Sequence, residues 1–288
     1  MKKMVLSLVA VSLLWAQTAA AELTRLADNV YSYVGGSDAS PAHSFAANAG
    51  IVIGRDGVLV VDTLISAKEG ERFLADIRKV TSRPIKYVVN THTHLDHALG
   101  NCVFAKLGAA VIAHDADRAF LAKNGAAILT NAGNYGLKAE DMAGTEISLP
   151  SLSFSERLAI DLGGVEVQLL RSAPSHTAGS LVVYLPKEKL LFSGDILFTD
   201  FHPFLADGDF TGWIKTIDNL LVMDVDKIVP GHGPLSTKKD LGDMKAYLLL
   251  FDSKAKELAA AGKDADAITA ELLKVLPKRS MAEWMIGY

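Results

Sequence analysis

The sequence predicts a mixed fold of the α/β or α+β class, with two sheets and helices outside them. Three observations lead there. Short apolar runs bounded by Gly, Pro, Asn or Asp fall in two groups, between residues 29 and 113 and between 158 and 229. Segments with helical apolar spacing follow each group. No internal repeat, low-complexity tract or Pro/Gly/Ser linker divides the chain, so a single domain is expected over residues 22–288.

Taken in order, residues 29–34 read as a strand, and 49–53 with 58–61 as a pair joined at Arg55-Asp56-Gly57. Phe73, Leu74, Ile77 and Val80 share one face of a helix over 66–80. Residues 85–89 form a short apolar strand that opens at Asn90 into Thr91-His92-Thr93-His94-Leu95-Asp96-His97. A helix over 98–107 and a buried strand over 110–113 follow, and 117–142 reads as mostly helical with glycine interruptions. Segments 158–161 and 165–170 flank Gly163-Gly164, a hairpin signal. A second hairpin, 181–185 with 190–192, turns at Pro186-Lys187-Glu188. Ile228-Val229 is a short strand ending at Pro230-Gly231-His232, and 236–261 and 265–275 are helical.

Residues 1–21 have the layout of a secretory signal peptide. Met1-Lys2-Lys3 gives a positive start, 5–15 an apolar run, and Ala19-Ala20-Ala21 a small-residue cleavage site before Glu22. The apolar run is too short to span a bilayer comfortably, so the expected product is periplasmic or secreted and free of the membrane after cleavage. Cleavage reduces 29 Lys and Arg to 27 against 33 acidic residues, a net charge of −6. A mildly acidic chain without a basic stripe is a poor nucleic-acid binder. The single cysteine, Cys102, excludes an intramolecular disulfide.

Of the eight histidines, three crowd into six residues, at 92, 94 and 97, with Asp96 among them. Imidazole nitrogens and carboxylate oxygens are the natural ligands of Zn²⁺. In an extended segment His92 and His94 point the same way, leaving Asp96 and His97 to turn toward a second ion. Three further candidates sit just past strands: His176 in Pro174-Ser175-His176-Thr177, Asp195 in Ser193-Gly194-Asp195, and His232 in Pro230-Gly231-His232-Gly233. Each alone is weak. Together they repeat one theme, in which a strand runs into a tight turn that carries a ligand, and several strand ends can meet at one sheet edge.

The H-x-H-x-D-H loop, the later His, the Ser-Gly-Asp turn and the terminal Gly-His-Gly resemble the metallo-β-lactamase superfamily in order and spacing, over roughly residues 23–235. The resemblance implies a four-layer αββα sandwich with metals at one edge. It also implies two Zn²⁺ ions, with iron an option at one or both sites. His92, His94 and His176 would hold the first, Asp96, His97 and His232 the second, and Asp195 would bridge them. Asp62, ending Val58-Leu59-Val60-Val61, fits the family's supporting carboxylate, although it also reads as a simple turn residue.

The implied activity is hydrolysis of an activated acyl carbonyl in a small-molecule thioester, ester, lactone or lactam by metal-bound hydroxide, with Asp96 as the catalytic carboxylate. Asp195 points to the glyoxalase II-like branch, since the superfamily's true β-lactamases generally carry Cys or Ser there. Phe201-His202-Pro203-Phe204 and Asp207-Gly208-Asp209 resemble periplasmic hydrolases found with sulfur-oxidation and quinoprotein systems. Only about fifty residues follow Gly233, short of a glutathione-gripping domain. The alternatives are a periplasmic β-lactamase and a mononuclear iron persulfide dioxygenase. His43, in the loop 35–48, and His202 are candidate pocket residues; a solvated loop position and a plain turn are their simpler readings. His114 reads as structural and Cys102 as a small packed hydrophobe, while Tyr135 is a possible pocket aromatic.

Overall fold

The structure, a computed structural model, describes residues 22–287; the expected signal peptide over 1–21 lies outside the described residues. The first sheet runs in sequence order through β1 (Thr24–Ala27), β2 (Val30–Ser32), β3 (Gly50–Ile53), β4 (Val58–Val61), β5 (Ile85–Val89), β6 (Ala110–His114) and β7 (Leu152–Phe154). Its first four strands pair antiparallel and the rest parallel. The change falls where helices begin to make the connections, because parallel neighbours need a crossover: α1 (Ala67–Val80) links β4 to β5, and α2 (Leu95–Ala98) with α3 (Asn101–Ala105) links β5 to β6.

The second sheet has the order β12-β11-β10-β9-β8, from β8 (Arg157–Asp161), β9 (Glu166–Arg171), β10 (Leu181–Leu185), β11 (Leu190–Phe198) and β12 (Lys227–His232). Strands β8 to β11 form an antiparallel meander, and β12 joins β11 in parallel through the crossover helix α5 (Phe210–Val222). Helix α4 (Asp115–Thr130) follows β6, and α6 (Lys238–Ala260) and α7 (Ala265–Val275) close the chain's helical end.

Alternation along the strands sets the layers. In β4, Leu59 and Val61 face the second sheet, packing with Val167, Leu169, Val183 and Phe192. Val58 and Val60 face outward onto Phe73 and Ile77 of α1 and Phe104 of α3. All four residues of β4 are buried, which is why this strand reads as an unbroken apolar run. The second sheet's outer face, including Val182, Leu191 and Ile228, is covered by Trp213, Ile217 and Leu220 of α5 and Leu241, Met244 and Leu248 of α6. The result is the expected αββα sandwich. Cys102 is buried within the outer core of the first sheet.

Several elements differ from the sequence reading. The helix expected over 98–107 starts earlier, at Leu95 inside the histidine loop, and breaks at Leu99-Gly100. A Cβ on Gly100 would lie 1.9 Å from the Thr63 carbonyl oxygen, so the chain is pinned against the end of β4 there. The helical stretch expected to reach 142 ends at Thr130 and passes into a 3-10 turn at Ala132–Tyr135, with Gly136 in a left-handed conformation. Strand β11 runs six residues beyond Phe192 because its pairing with β12 resumes after the irregularity at Gly194. Helix α5 was not anticipated, although Trp213, Thr216, Ile217 and Leu220 make a helical stripe.

Phe73 is fully buried, with its ring 5.1 Å from Tyr33 and 6.1 Å from Phe104. Replacing it with alanine is expected to cost about 3–5 kcal/mol. Urea unfolding should show a lower midpoint with an unchanged slope.

Candidate metal centre

The carboxyl ends of β4, β5 and β12 and the middle of β11, at the irregularity by Gly194, converge on one edge of the sandwich, and each delivers a side chain there. The loop after β5 is fixed by a buried amide cluster. Asn90 and Asn101 exchange side-chain hydrogen bonds, with Asn90 Nδ2 donating at 3.0 Å and Asn101 Nδ2 at 2.8 Å. Thr63 Oγ1 donates to Asn101 Oδ1 at 2.9 Å, and the Thr63 amide donates to the His97 carbonyl at 2.8 Å. Two glycines allow close approach between the sheets. Gly194 takes a left-handed φ of 50° with Thr91 packed where a side chain would stand. A Cβ on Gly231 would lie 1.8 Å from Asp195 Oδ1, so only glycine lets that carboxylate reach the site.

Seven side chains meet in two groups, His92, His94, His176 and Asp195 in one and Asp96, His97 and His232 in the other. Within each group one ligand-type atom per residue lies within 4.8 Å of the others. Asp195 stands between the groups. Its Oδ1 is 3.1 Å from His97 Nε2, and its Oδ2 is 3.3 Å from His176 Nε2, 3.7 Å from His92 Nε2 and 3.6 Å from His232 Nε2. Asp96 Oδ2 lies 3.3 Å from His232 Nε2 and 3.7 Å from His97 Nε2. Across the first group His176 Nε2 meets His94 Nδ1 at 2.8 Å. Among the described residues His92 Nε2, His176 Nδ1 and Asp195 Oδ1 are buried without a hydrogen-bond partner. Buried polar atoms normally have one, and inward-facing imidazole and carboxylate lone pairs are the donor set of a transition metal. The residues fit such an ion.

The outward faces of the rings are held as ligand imidazoles commonly are. Buried Asp62 sits at a φ of 59°, which Asp tolerates. It accepts from the Thr91 amide and hydroxyl, each at 2.8 Å, and pairs with His97 Nδ1 at 3.0 Å. His232 Nδ1 lies 3.0 Å from the Phe45 carbonyl oxygen, His92 Nδ1 3.2 Å from Thr91 Oγ1, and His94 Nε2 3.0 Å from Asp207 Oδ2. Aromatic rings surround the cluster: Phe198 stacks on His232 at 5.2 Å, and Phe204 lies edge-on to His94 at 5.6 Å.

Charges within the cluster are strongly interdependent. Burial drives His92 well below the usual histidine range, aided by the His97 charge. Burial likewise takes His176 down to about 3, against the pull of Asp195. Burial also disfavours charge on His97, but Asp195, Asp96 and Asp62 outweigh it and raise that ring well above its ordinary value. In the same balance Asp195 and Asp96 raise His232 to about 9. Burial works against the Asp195 carboxylate, yet the surrounding histidines, His97 first, hold it well below the usual carboxylate range.

The sequence-predicted residues His92, His94, Asp96, His97, His176, Asp195 and His232 all meet here, with Asp62 directly behind His97. His43 does not join them: it is half-exposed and pairs with Asp38 at 2.7 Å. His202 is buried against α6, its Nδ1 2.9 Å from the Tyr247 hydroxyl; neither ring is among the seven clustered residues. His114 caps α4 by accepting from the Ala116 amide. Tyr135 is 45% exposed. Sequence reasoning missed Asp117, which is buried and accepts from Thr177 Oγ1 while its carbonyl accepts from Thr93 Oγ1. It ties the His94 loop to the His176 loop, and a lone Asp opening a helix carries no sequence signal of that. The Phe45 carbonyl was equally invisible, being a backbone group.

A family model described as Metallo-beta-lactamase superfamily matches residues 44–232. The chain is 27% identical over 183 residues to the 2,4-dinitroanisole O-demethylase subunit alpha of Nocardioides sp. (strain JS1661), covering 62% of this chain and 50% of that protein. The match thus spans about half of that relative's length. It is 25% identical over 216 residues to a Metallo-beta-lactamase type 2 of Bacteroides fragilis, covering 73% of this chain and 78% of the relative. The solved Metallo-beta-lactamase from Pontibacter korlensis superposes with a TM-score of 0.66 at 22% identity, over 80% of this chain and 99% of that one. At that identity the likeness speaks for the fold.

With His232 raised to about 9 and His97 raised well above its usual value, both rings hold protons at pH 7 in the metal-free protein. Ligand imidazoles must be neutral, so zinc binding at pH 7 is expected to release these protons. The His232 share should fade as pH rises through about 9. Calorimetric titration in buffers of different ionisation enthalpy measures the release; proton-neutral binding at pH 7 would contradict it.

Proposed function

The chain belongs to the metallo-β-lactamase superfamily, and from that premise we propose that it is a two-zinc hydrolase of activated acyl compounds. It is a superfamily hydrolase with a His/Asp metal-binding cluster. The observation that carries the finer reading is the position of Asp195, one carboxylate facing both groups of imidazoles. Seven donors exceed what a single tetrahedral ion takes, whereas a pair of ions sharing a carboxylate uses them all. His92, His94 and His176 would hold one ion, Asp96, His97 and His232 the other, with Asp195 common to both.

Bound zinc would supply acidified water and polarisation of a carbonyl oxygen. The protein's own groups do the remaining work. Asp96 Oδ2, beside His232 and His97, orients the attacking water and accepts its proton. Asp62 and the Phe45 carbonyl keep the outer nitrogens of His97 and His232 occupied, so that their Nε2 atoms face inward. Phe204 beside His94 and His176, and Phe201 at 5.5 Å from His232, give the site an apolar flank that suits an uncharged acyl portion and excludes water from it.

Thioester, ester and lactone substrates stand ahead of lactams because an aspartate at 195 resembles the bridging residue of the glyoxalase II-like branch. The Bacteroides relative named as a metallo-β-lactamase supports β-lactam hydrolysis as the second reading. Export of the chain to the periplasm or medium belongs to the same proposal; among the described residues no helix is long and apolar enough to cross a membrane.

Asp195→Ala is expected to lower metal content and turnover together, since a methyl group cannot bridge two ions. Normal zinc stoichiometry with normal turnover would sink the two-ion assignment. Catalytic efficiency of the zinc-loaded protein on a simple acyl thioester should exceed that on a chromogenic cephalosporin by at least about tenfold, a difference of about 1.4 kcal/mol in barrier. The reverse order would make the protein a β-lactamase with an aspartate bridge.

A further inference from the structure

The motif Asp207-Gly208-Asp209 lies outside the seven-residue cluster, yet the fold brings it onto that cluster. Residues 204–209 form a strap between β11 and α5. Phe204 rests edge-on against His94 and His176, with ring centroids 5.6 and 6.4 Å away. Asp209 anchors the far end, its amide donating to the Ser175 carbonyl at 2.8 Å and its side chain capping α5 through the Gly212 amide at 2.7 Å. Between these anchors Gly208 closes a turn onto the Leu205 carbonyl at 3.0 Å. The turn presents Asp207 to His94.

The two nitrogens of the His94 ring then have separate tasks. Nδ1 faces His176 Nε2 at 2.8 Å, inside the metal-ligating group, and Nε2 faces Asp207 Oδ2 at 3.0 Å. A carboxylate at Nε2 accepts the ring N–H, so the lone pair must sit on Nδ1. Without it the ring can carry its proton on either nitrogen and can flip.

We propose that Asp207 is a positioning residue that fixes His94 as an Nδ1 ligand of the first metal group, making the strap 204–209 part of that site. The proposal rests on the metal-binding reading above. It parallels the pair of Asp62 with His97 in the second group, with one difference. Asp62 is buried in the sheet edge, whereas the Asp207 side chain is 54% exposed on a surface strap. Affinity of the first group is therefore tied to the placement of a segment that the second group does not use.

The test compares wild type, Asp207→Ala and Asp207→Asn. Zinc is titrated into metal-free protein against a chromophoric chelator, and the cobalt-substituted forms are examined by visible absorption. Asp207→Ala is expected to weaken one of two ions by about 10–100-fold, leave the other unchanged, and alter the cobalt bands. Asp207→Asn, whose amide oxygen can accept the same N–H bond, should recover most of the loss. Wild-type affinity for both ions in the alanine variant, or an asparagine variant as weak as alanine, would overturn the proposal. A separate readout needs no metal: imidazole ¹⁵N NMR of the metal-free protein should show the His94 proton on Nε2 in wild type and Asp207→Asn. Finding it on Nδ1 in wild type overturns the positioning role, whereas failure of wild type to bind any ion with the Nε2 proton in place would overturn the metal reading alone.

Discussion

Three buried atoms, His92 Nε2, His176 Nδ1 and Asp195 Oδ1, have no hydrogen bond among the described residues, although Asp195 Oδ1 lies 3.1 Å from His97 Nε2, in a cluster where five imidazoles and two carboxylates press their donor atoms together. A buried polar group left unsatisfied costs roughly 1–3 kcal/mol. A divalent ion held by these donors would offset that cost directly. The surrounding architecture follows from the need to hold these groups in place.

The sandwich meets that need with rigid strand ends. Strand β4, buried on both faces, and β5, buried at its carboxyl end, stop at the edge and release Asp62 and the histidine loop. Strands β11 and β12 bring Asp195 and His232 from the other sheet. Because the sheets pack through a shared apolar interior, groups far apart in sequence are held at fixed spacing without a disulfide. Glycine at 194 and 231 removes the atoms that would block this approach. Behind the donors stands a further layer comprising Asp62, Thr91, the Phe45 carbonyl and Asp207, which holds the outer nitrogens of His97, His92, His232 and His94.

The seven residues that meet in the cluster were legible in the sequence because histidine is scarce, eight in the chain, and three crowd just past an apolar run with Asp96, while the αββα layering was legible from alternation and helical spacing. The groups that hold the donors were legible only in part. Asp62 could be read because it ends a strand. The Phe45 carbonyl, the Thr91 hydroxyl and Asp117 could not, since their roles come from contacts between distant segments. His43 and His202 lie outside the cluster, each paired with a neighbour, Asp38 or Tyr247. Helix α5 is hard to read from sequence because Gly212 and two threonines dilute its apolar stripe, while burial of Trp213 against the second sheet decides its conformation.

The central claim, that Asp195 joins two groups of donors into one two-ion site, is tested most directly by counting and locating the ions. Metal analysis of the purified protein, combined with anomalous diffraction at the zinc edge, should give two zinc ions per chain, each against one of the two groups, with Asp195 contacting both. A catalytically active protein with a single ion, or with two ions of which Asp195 contacts only one, would contradict it.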